Sequence, residues 1–144
     1  MKLITHAQQP SQDWRAGVRT VMHVSAEMGA SQLCIFEQYC LPGLGAPTHL
    51  HSVEEVLTVI DGVAEIWLED ETERVGADQS VIIPAGQWHG FRNVSETTLH
   101  VRATLAAPVF EAGYEDRNEI SRRYLPVKRV TFPSSESGPS NKPG

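Results

Sequence analysis

The chain has 144 residues, enough for one domain with a single sizeable hydrophobic core. A composition of 40% hydrophobic and 21% charged residues is that of a soluble globular protein, and a formal net charge of -6 argues against nucleic acid as a general partner. No apolar run approaches the ~20 residues that span a bilayer, and the opening Met1-Lys2-Leu3-Ile4-Thr5-His6 lacks the apolar region of a secretory signal, so the expectation is a cytoplasmic protein without a membrane partner.

Breaker residues then divide the chain at hairpin-like spacing. Residues 15–25 alternate loosely, and Gly29-Ala30-Ser31 follows as punctuation. Residues 32–40 (QLCIFEQYC) are rich in aromatic and β-branched side chains and predict a strand. On such a strand Cys34 and Cys40 would lie about 20 Å apart at ~3.3 Å per residue, beyond disulfide reach, so both read as buried thiols. Residues 41–47 read as a loop. Residues 53–60 predict a strand that stops at Asp61-Gly62, the strongest hairpin signal in the chain, with 63–68 as its partner and 69–72 as a solvated turn. Residues 81–83 end at Pro84-Ala85-Gly86, and 97–105 alternate polar with apolar residues. The only helix candidate is short, residues 116–124. Basic residues at Arg122-Arg123 and Lys128-Arg129 sit beside Glu115, Asp116 and Glu119, a mixed surface rather than a basic stripe. About eight short strands in one domain imply an all-β sandwich or barrel. The Pro/Ser/Gly/Lys-rich residues 126–144 read as a flexible, irregular tail.

Chemistry concentrates in His49-Leu50-His51, Glu55 and His89, three imidazoles and a carboxylate suited to a divalent transition metal. Residues i and i+2 of an extended segment share a face, so His49 and His51 can converge on one ion. Glu55 would lie ~13 Å further along a straight strand. The chain must therefore turn near Ser52-Val53 and bring a carboxylate back on the neighbouring strand. Alternation alone leaves Glu54 and Glu55 both open. His89 follows the Pro84-Ala85-Gly86 turn, which can present its ring from another direction.

The spacing resembles that of the cupins. Gly43, five residues, His49-x-His51, three residues, Glu55, six residues and Gly62 match the first cupin motif. Pro84-x-Gly86, two residues, His89, three residues and Asn93 match most of the second. One position departs: the glycine usual six residues before the proline is Asp78, with Gly76 nearby, which leaves the turn geometry open. The resemblance implies a small jelly-roll β-barrel (a double-stranded β-helix) over 13–110, with an N-terminal arm at 1–12 and a C-terminal extension at 111–125. It also implies one metal ion (iron, manganese, nickel, copper or zinc) held by His49, His51, Glu55 and His89, resolves Glu55 over Glu54, and makes a homodimer the expected assembly.

Other residues admit two readings each. His100 and Arg102 share a strand face and either line a pocket, with Arg102 clamping an anion, or form a solvated outer face. Gln38 is a partner behind the ligands or an ordinary strand residue. Trp88 and Phe91 pack a substrate or cap the barrel. Trp67 is assigned to the core or a dimer interface, and His6 and His23 to the surface. A six-coordinate ion with four protein ligands keeps up to two open positions, so a small organic molecule could chelate it, with Glu55 a candidate proton acceptor. The expected function is a metalloenzyme of dioxygenase, isomerase, decarboxylase or cyclase type. The alternatives are a non-catalytic small-molecule binder or sensor, and a structural module.

Overall fold

The computed structural model describes residues 1–123. Twelve strands run through them: β1 (Ser11–Arg15), β2 (Val18–Val24), β3 (Cys34–Cys40), β4 (Gly45–Leu50), β5 (Glu55–Asp61), β6 (Val63–Leu68), β7 (Glu71–Gly76), β8 (Gln79–Ile83), β9 (His89–Asn93), β10 (Leu99–Leu105), β11 (Phe110–Tyr114) and β12 (Ile120–Arg123). They form two antiparallel six-stranded sheets, ordered β1-β2-β3-β10-β5-β8 and β12-β11-β4-β9-β6-β7. Apart from β1-β2-β3 and the hairpins β6-β7 and β11-β12, consecutive strands cross between the sheets, which produces the jelly-roll barrel. Among the described residues no helix is long and apolar enough to cross a membrane.

The core forms where period-two patterning meets across the two sheets. In β10, Leu99, Val101, Ala103 and Leu105 are buried while Arg102 is exposed. In β5, Glu55, Leu57 and Val59 are buried on the same alternation. Phe36 and Phe110 meet edge to face inside the barrel, with ring centroids 5.6 Å apart. Cys34 and Cys40 are buried free thiols at the two ends of β3, and burial pushes both up, to about 12 and about 11.

The hairpin at Asp61-Gly62 closes as its residues dictate. Gly62 takes φ +88°, and its N–H donates to Asp61 Oδ1 at 3.0 Å. The departure from the second motif also has an answer. Asp78 itself adopts the left-handed conformation, φ +67°, and its N–H donates to the Val59 carbonyl at 3.0 Å. Asp is one of the few residues that tolerates this region, so the turn survives without its glycine. Asn93 is buried and fully used: Nδ2 donates to the carbonyls of Cys40 (3.0 Å) and Thr97 (2.7 Å), and Oδ1 accepts from the Ser95 N–H at 2.8 Å.

Several expectations are corrected. The predicted helix over 116–124 is not present in its described part. That stretch turns at 115–117 and enters β12, which pairs with β11 in the register Phe110↔Arg123. With no apolar face at helical spacing to bury, the segment instead completes the backbone hydrogen bonds of a sheet edge. The only helical pieces among the described residues are two 3-10 turns, His6–Gln8 and Ala26–Met28. The loop read over 41–47 ends early, because β4 begins at Gly45; Pro47 is tolerated where the pairing of β4 with β9 slips, between Ala46 and His49. The arm assigned to 1–12 already contributes to β1 at Ser11. Residue 124 and the tail assigned to 126–144 lie outside the described residues.

Candidate metal centre

The four candidate ligands meet at the seam between the sheets. His49 on β4 lies directly opposite His89 on β9, a cross-strand pair of the second sheet. His51 follows just past the end of β4. Glu55 is the first residue of β5, so after the turn at Ser52-Val53 the chain enters the other sheet rather than a neighbouring strand. A backbone bond from the Gly86 N–H to the His51 carbonyl (2.7 Å) ties the turn ahead of His89 to this corner. Gly90 makes the approach possible: a Cβ there would sit 2.3 Å from the Trp67 ring. Trp67 covers the outer side of this sheet and not the core, its Nε1 donating to Thr48 Oγ1 at 3.0 Å.

All four side chains are buried, and their donor atoms lie within 4.8 Å of one another. Glu54 is exposed, and Glu55 points inward. Each histidine has its Nδ1 against a backbone carbonyl: His49 with Pro47 (2.6 Å), His51 with Glu111 (2.7 Å) and His89 with Gln87 (2.9 Å). A carbonyl only accepts, so each Nδ1 carries the proton and each Nε2 is left as the free donor atom. Nε2 of His51 and of His89 lie 2.7 and 3.2 Å from Glu55 Oε2. Lone pairs facing a carboxylate at that distance need a cation between them, either a proton or a metal. The residues therefore fit one divalent transition metal, which would be held by His49, His51, Glu55 and His89.

The electrostatics agree with the geometry. Burial, then the neighbouring His89 and His51, push His49 down to about 3. Burial also works against charge on His51, but the hydrogen bond and charge of Glu55 outweigh it and raise its pKa. Burial alone would raise Glu55; hydrogen bonds from His51 and His89 hold it well below the usual carboxylate range.

Above the four donors lies a narrow cavity that leaves ≈ 20 Å³ for the centres of water molecules. Gln38 and Phe91 line it, but Gln38 Nε2 is engaged by Thr20 Oγ1 at 3.0 Å. Trp88 lies outside the lining, with its backbone N–H donating to Glu69. His100 and Arg102 do not reach the cavity. The alternation of β10 sends them to the outer face, where both approach Glu37.

Residues without a sequence signal complete the lining: Trp14, Arg15, Phe110 and Tyr114. The Arg15 guanidinium donates to the Gly45 carbonyl at 2.8 Å and bonds the Tyr114 hydroxyl. None of the ion pairs among the described residues involves Arg15. Arg15 and Tyr114 sit on strands far apart in sequence, so no motif spacing marks them. Phe36, two residues from Gln38 on one strand face, was within reach of alternation alone.

Comparison with known proteins agrees with this architecture. The cupin domain family matches residues 37–106. "Polyketide synthase CurC" of Streptomyces cyaneus is 32% identical over 128 residues, covering 87% of this chain and 80% of that protein. Among solved structures, the polyketide cyclase RemF from Streptomyces resistomycificus superposes with a TM-score of 0.64 at 23% identity, covering 73% of this chain and 78% of RemF. The oxalate decarboxylase of Lactobacillus farciminis, in a formate complex, superposes with a TM-score of 0.69 at 14% identity, covering 76% of this chain and 34% of the decarboxylase. With both motifs in register, the jelly-roll topology and a related sequence along most of its length, this chain belongs to the cupin family.

Proposed function

We propose that the chain is a metal-dependent enzyme acting on an oxygen-rich anion of the polyketide type, one end of which chelates the ion while Arg15 holds an anionic oxygen. The observation that carries this reading is Arg15: a partly buried guanidinium without a carboxylate partner among the described residues, in the same cavity as four metal donors. A cation withdrawn from water without a counter-ion is costly, and a bound anion is the natural compensation. The sequence relative named as a polyketide synthase and the structural neighbour named as a polyketide cyclase support the substrate class.

The ion would supply Lewis acidity toward a chelated ketone, enol or phenol oxygen. The chain's own residues then divide the remaining work. Arg15 orients the anionic oxygen through charge-assisted hydrogen bonds. Trp14, Phe36 and Phe110, whose rings pack 4.5 to 5.6 Å apart, offer a planar substrate an apolar wall and keep water out. The Tyr114 hydroxyl, bonded to Arg15, is placed to exchange a proton with a substrate oxygen. Glu55 is better used as a ligand than as a proton acceptor, because its Oε2 is shared by two histidines. A space of ≈ 20 Å³ takes only the chelating end of such a molecule.

The test is turnover of phenolic and β-keto substrates by metal-stripped protein reloaded with iron, manganese, nickel, copper or zinc in turn. Arg15→Met is expected to raise KM by about 10- to 100-fold, the loss of one or two charge-assisted hydrogen bonds, with a smaller change in kcat. Ligand-induced stabilisation without turnover under any of the metals would reject the enzyme in favour of a sensor. Unchanged KM in Arg15→Met would remove Arg15 from substrate binding.

A further inference from the structure

A second cluster of donors lies on the opposite side of the first sheet. The outward residues of β2, β3 and β10 bring His23, Glu37 and His100 together there, and the N-terminal 3-10 turn lays His6 over them. His6, His23 and Glu37 present donor atoms within 4.8 Å of one another. His23, read from sequence as a surface residue, is 5% exposed, because the arm stacks the His6 ring on it at 3.7 Å between centroids.

His23 has an unusual environment for a buried histidine. Its Nε2 faces Glu37 Oε2 within ion-pair range but without hydrogen-bond geometry, and its Nδ1 has no partner among the described residues. Buried polar atoms are nearly always satisfied, so an orphaned ring nitrogen implies a missing partner. The two oxygens of Glu37 are divided. Oε1 is occupied by His100 Nε2 at 2.5 Å and approached by Arg102 at 3.7 Å, while Oε2 is turned toward His23. Beside them a hollow of ≈ 310 Å³ for water centres opens to solvent, lined by His6, His23, Glu37, Arg19 and Tyr39 among others.

We propose that His6, His23 and Glu37 form a second, peripheral site for a divalent transition metal, which pins the N-terminal arm to the outer wall of the barrel. Two imidazoles and one carboxylate suit zinc, nickel, cobalt or copper rather than calcium or magnesium, which need more oxygen ligands. Glu37 is fit for the role because it stays ionised: burial opposes this, but His100, His23 and Arg102 together pull its pKa down. His6 is exposed and can shift to open its stacked ring toward an ion. An ion would take one of the two His23 ring nitrogens, neither of which has a hydrogen-bond partner among the described residues.

The site is independent of the inner centre and of any catalytic role. The experiment uses protein without a histidine tag, stripped by chelator and equilibrated with zinc, with metal per chain measured by elemental analysis. Wild type is expected to hold two zinc ions per chain, and His6→Ala and His51→Ala one each. Zinc should also slow amide exchange over residues 1–10 at least several-fold in wild type and not in His6→Ala. A single zinc per chain that is lost with His51→Ala overturns the proposal. So does a second zinc that survives both His6→Ala and Glu37→Gln. His6→Ala removes only an exposed side chain, so a folding defect does not obscure the reading.

Discussion

The barrel carries two groups of three histidines and a glutamate on opposite faces of its wall, and they are prepared very differently. Inside, His49, His51 and His89 each have Nδ1 fixed by a backbone carbonyl, so three Nε2 atoms converge on Glu55 before any ion arrives. Outside, His6, His23 and His100 surround Glu37 with no such backbone anchors among the described residues, and one ring belongs to an exposed arm. The same set of three imidazoles and one carboxylate thus makes a rigid arrangement in one place and an adjustable one in the other. What separates them is the second ring nitrogen, which decides whether a histidine's tautomer and direction are set by the fold.

The sharpest way to break the comparison is to remove an inner ligand. Glu55→Gln keeps the shape and deletes the charge, and is expected to weaken metal binding by about 100-fold or more, with parallel loss of turnover. Calorimetric titration of stripped protein checks this, and retained affinity would show that the three imidazoles suffice. A second difference should appear with pH. In metal-free protein His49 titrates near 3 instead of 6.5, so its folded form resists protonation. Stability from this group is complete above pH 6.5 and is lost as the pH falls toward 3, by up to about 1.4 kcal/mol per unit. Glu55 adds a further loss below its ordinary 4.5, whereas the raised His51 acts in the other direction and only above 6.5. Urea midpoints between pH 7 and 4, with and without zinc, measure the slope, which metal should displace to lower pH. The smallest effect is structural: Asn93→Ala should cost about 2 to 3 kcal/mol by stranding buried partners, read as a lower Tm at unchanged metal content.

The inner centre was legible because its spacing is local chemistry. An HxH pair means something only on an extended segment, Pro84-Ala85-Gly86 announces a reversal, and Asp61-Gly62 announces a hairpin. The outer cluster and Arg15 were not legible, because they depend on register between strands far apart in sequence. His100 meets Glu37 only because β10 lies beside β3, Arg102 opposite Glu37 itself. The same pairing explains why His100 and Arg102 miss the cavity: one residue of alternation decides the face, and the sequence pattern alone is symmetric about that choice. The predicted helix near the C-terminus failed for a related reason, since the free edge of β11 outweighed a weak local preference.

The position of Glu55 has a consequence for the molecule as a whole. It comes from one sheet, while His49 and His89 come from the other. An ion bound at the seam would therefore be a rivet through the sandwich, and pulling the sheets apart would mean breaking its coordination. Binding free energy then adds to folding free energy, about 4 kcal/mol when free metal stands a thousandfold above the dissociation constant. The stability of the folded chain would then follow the metal supply around it.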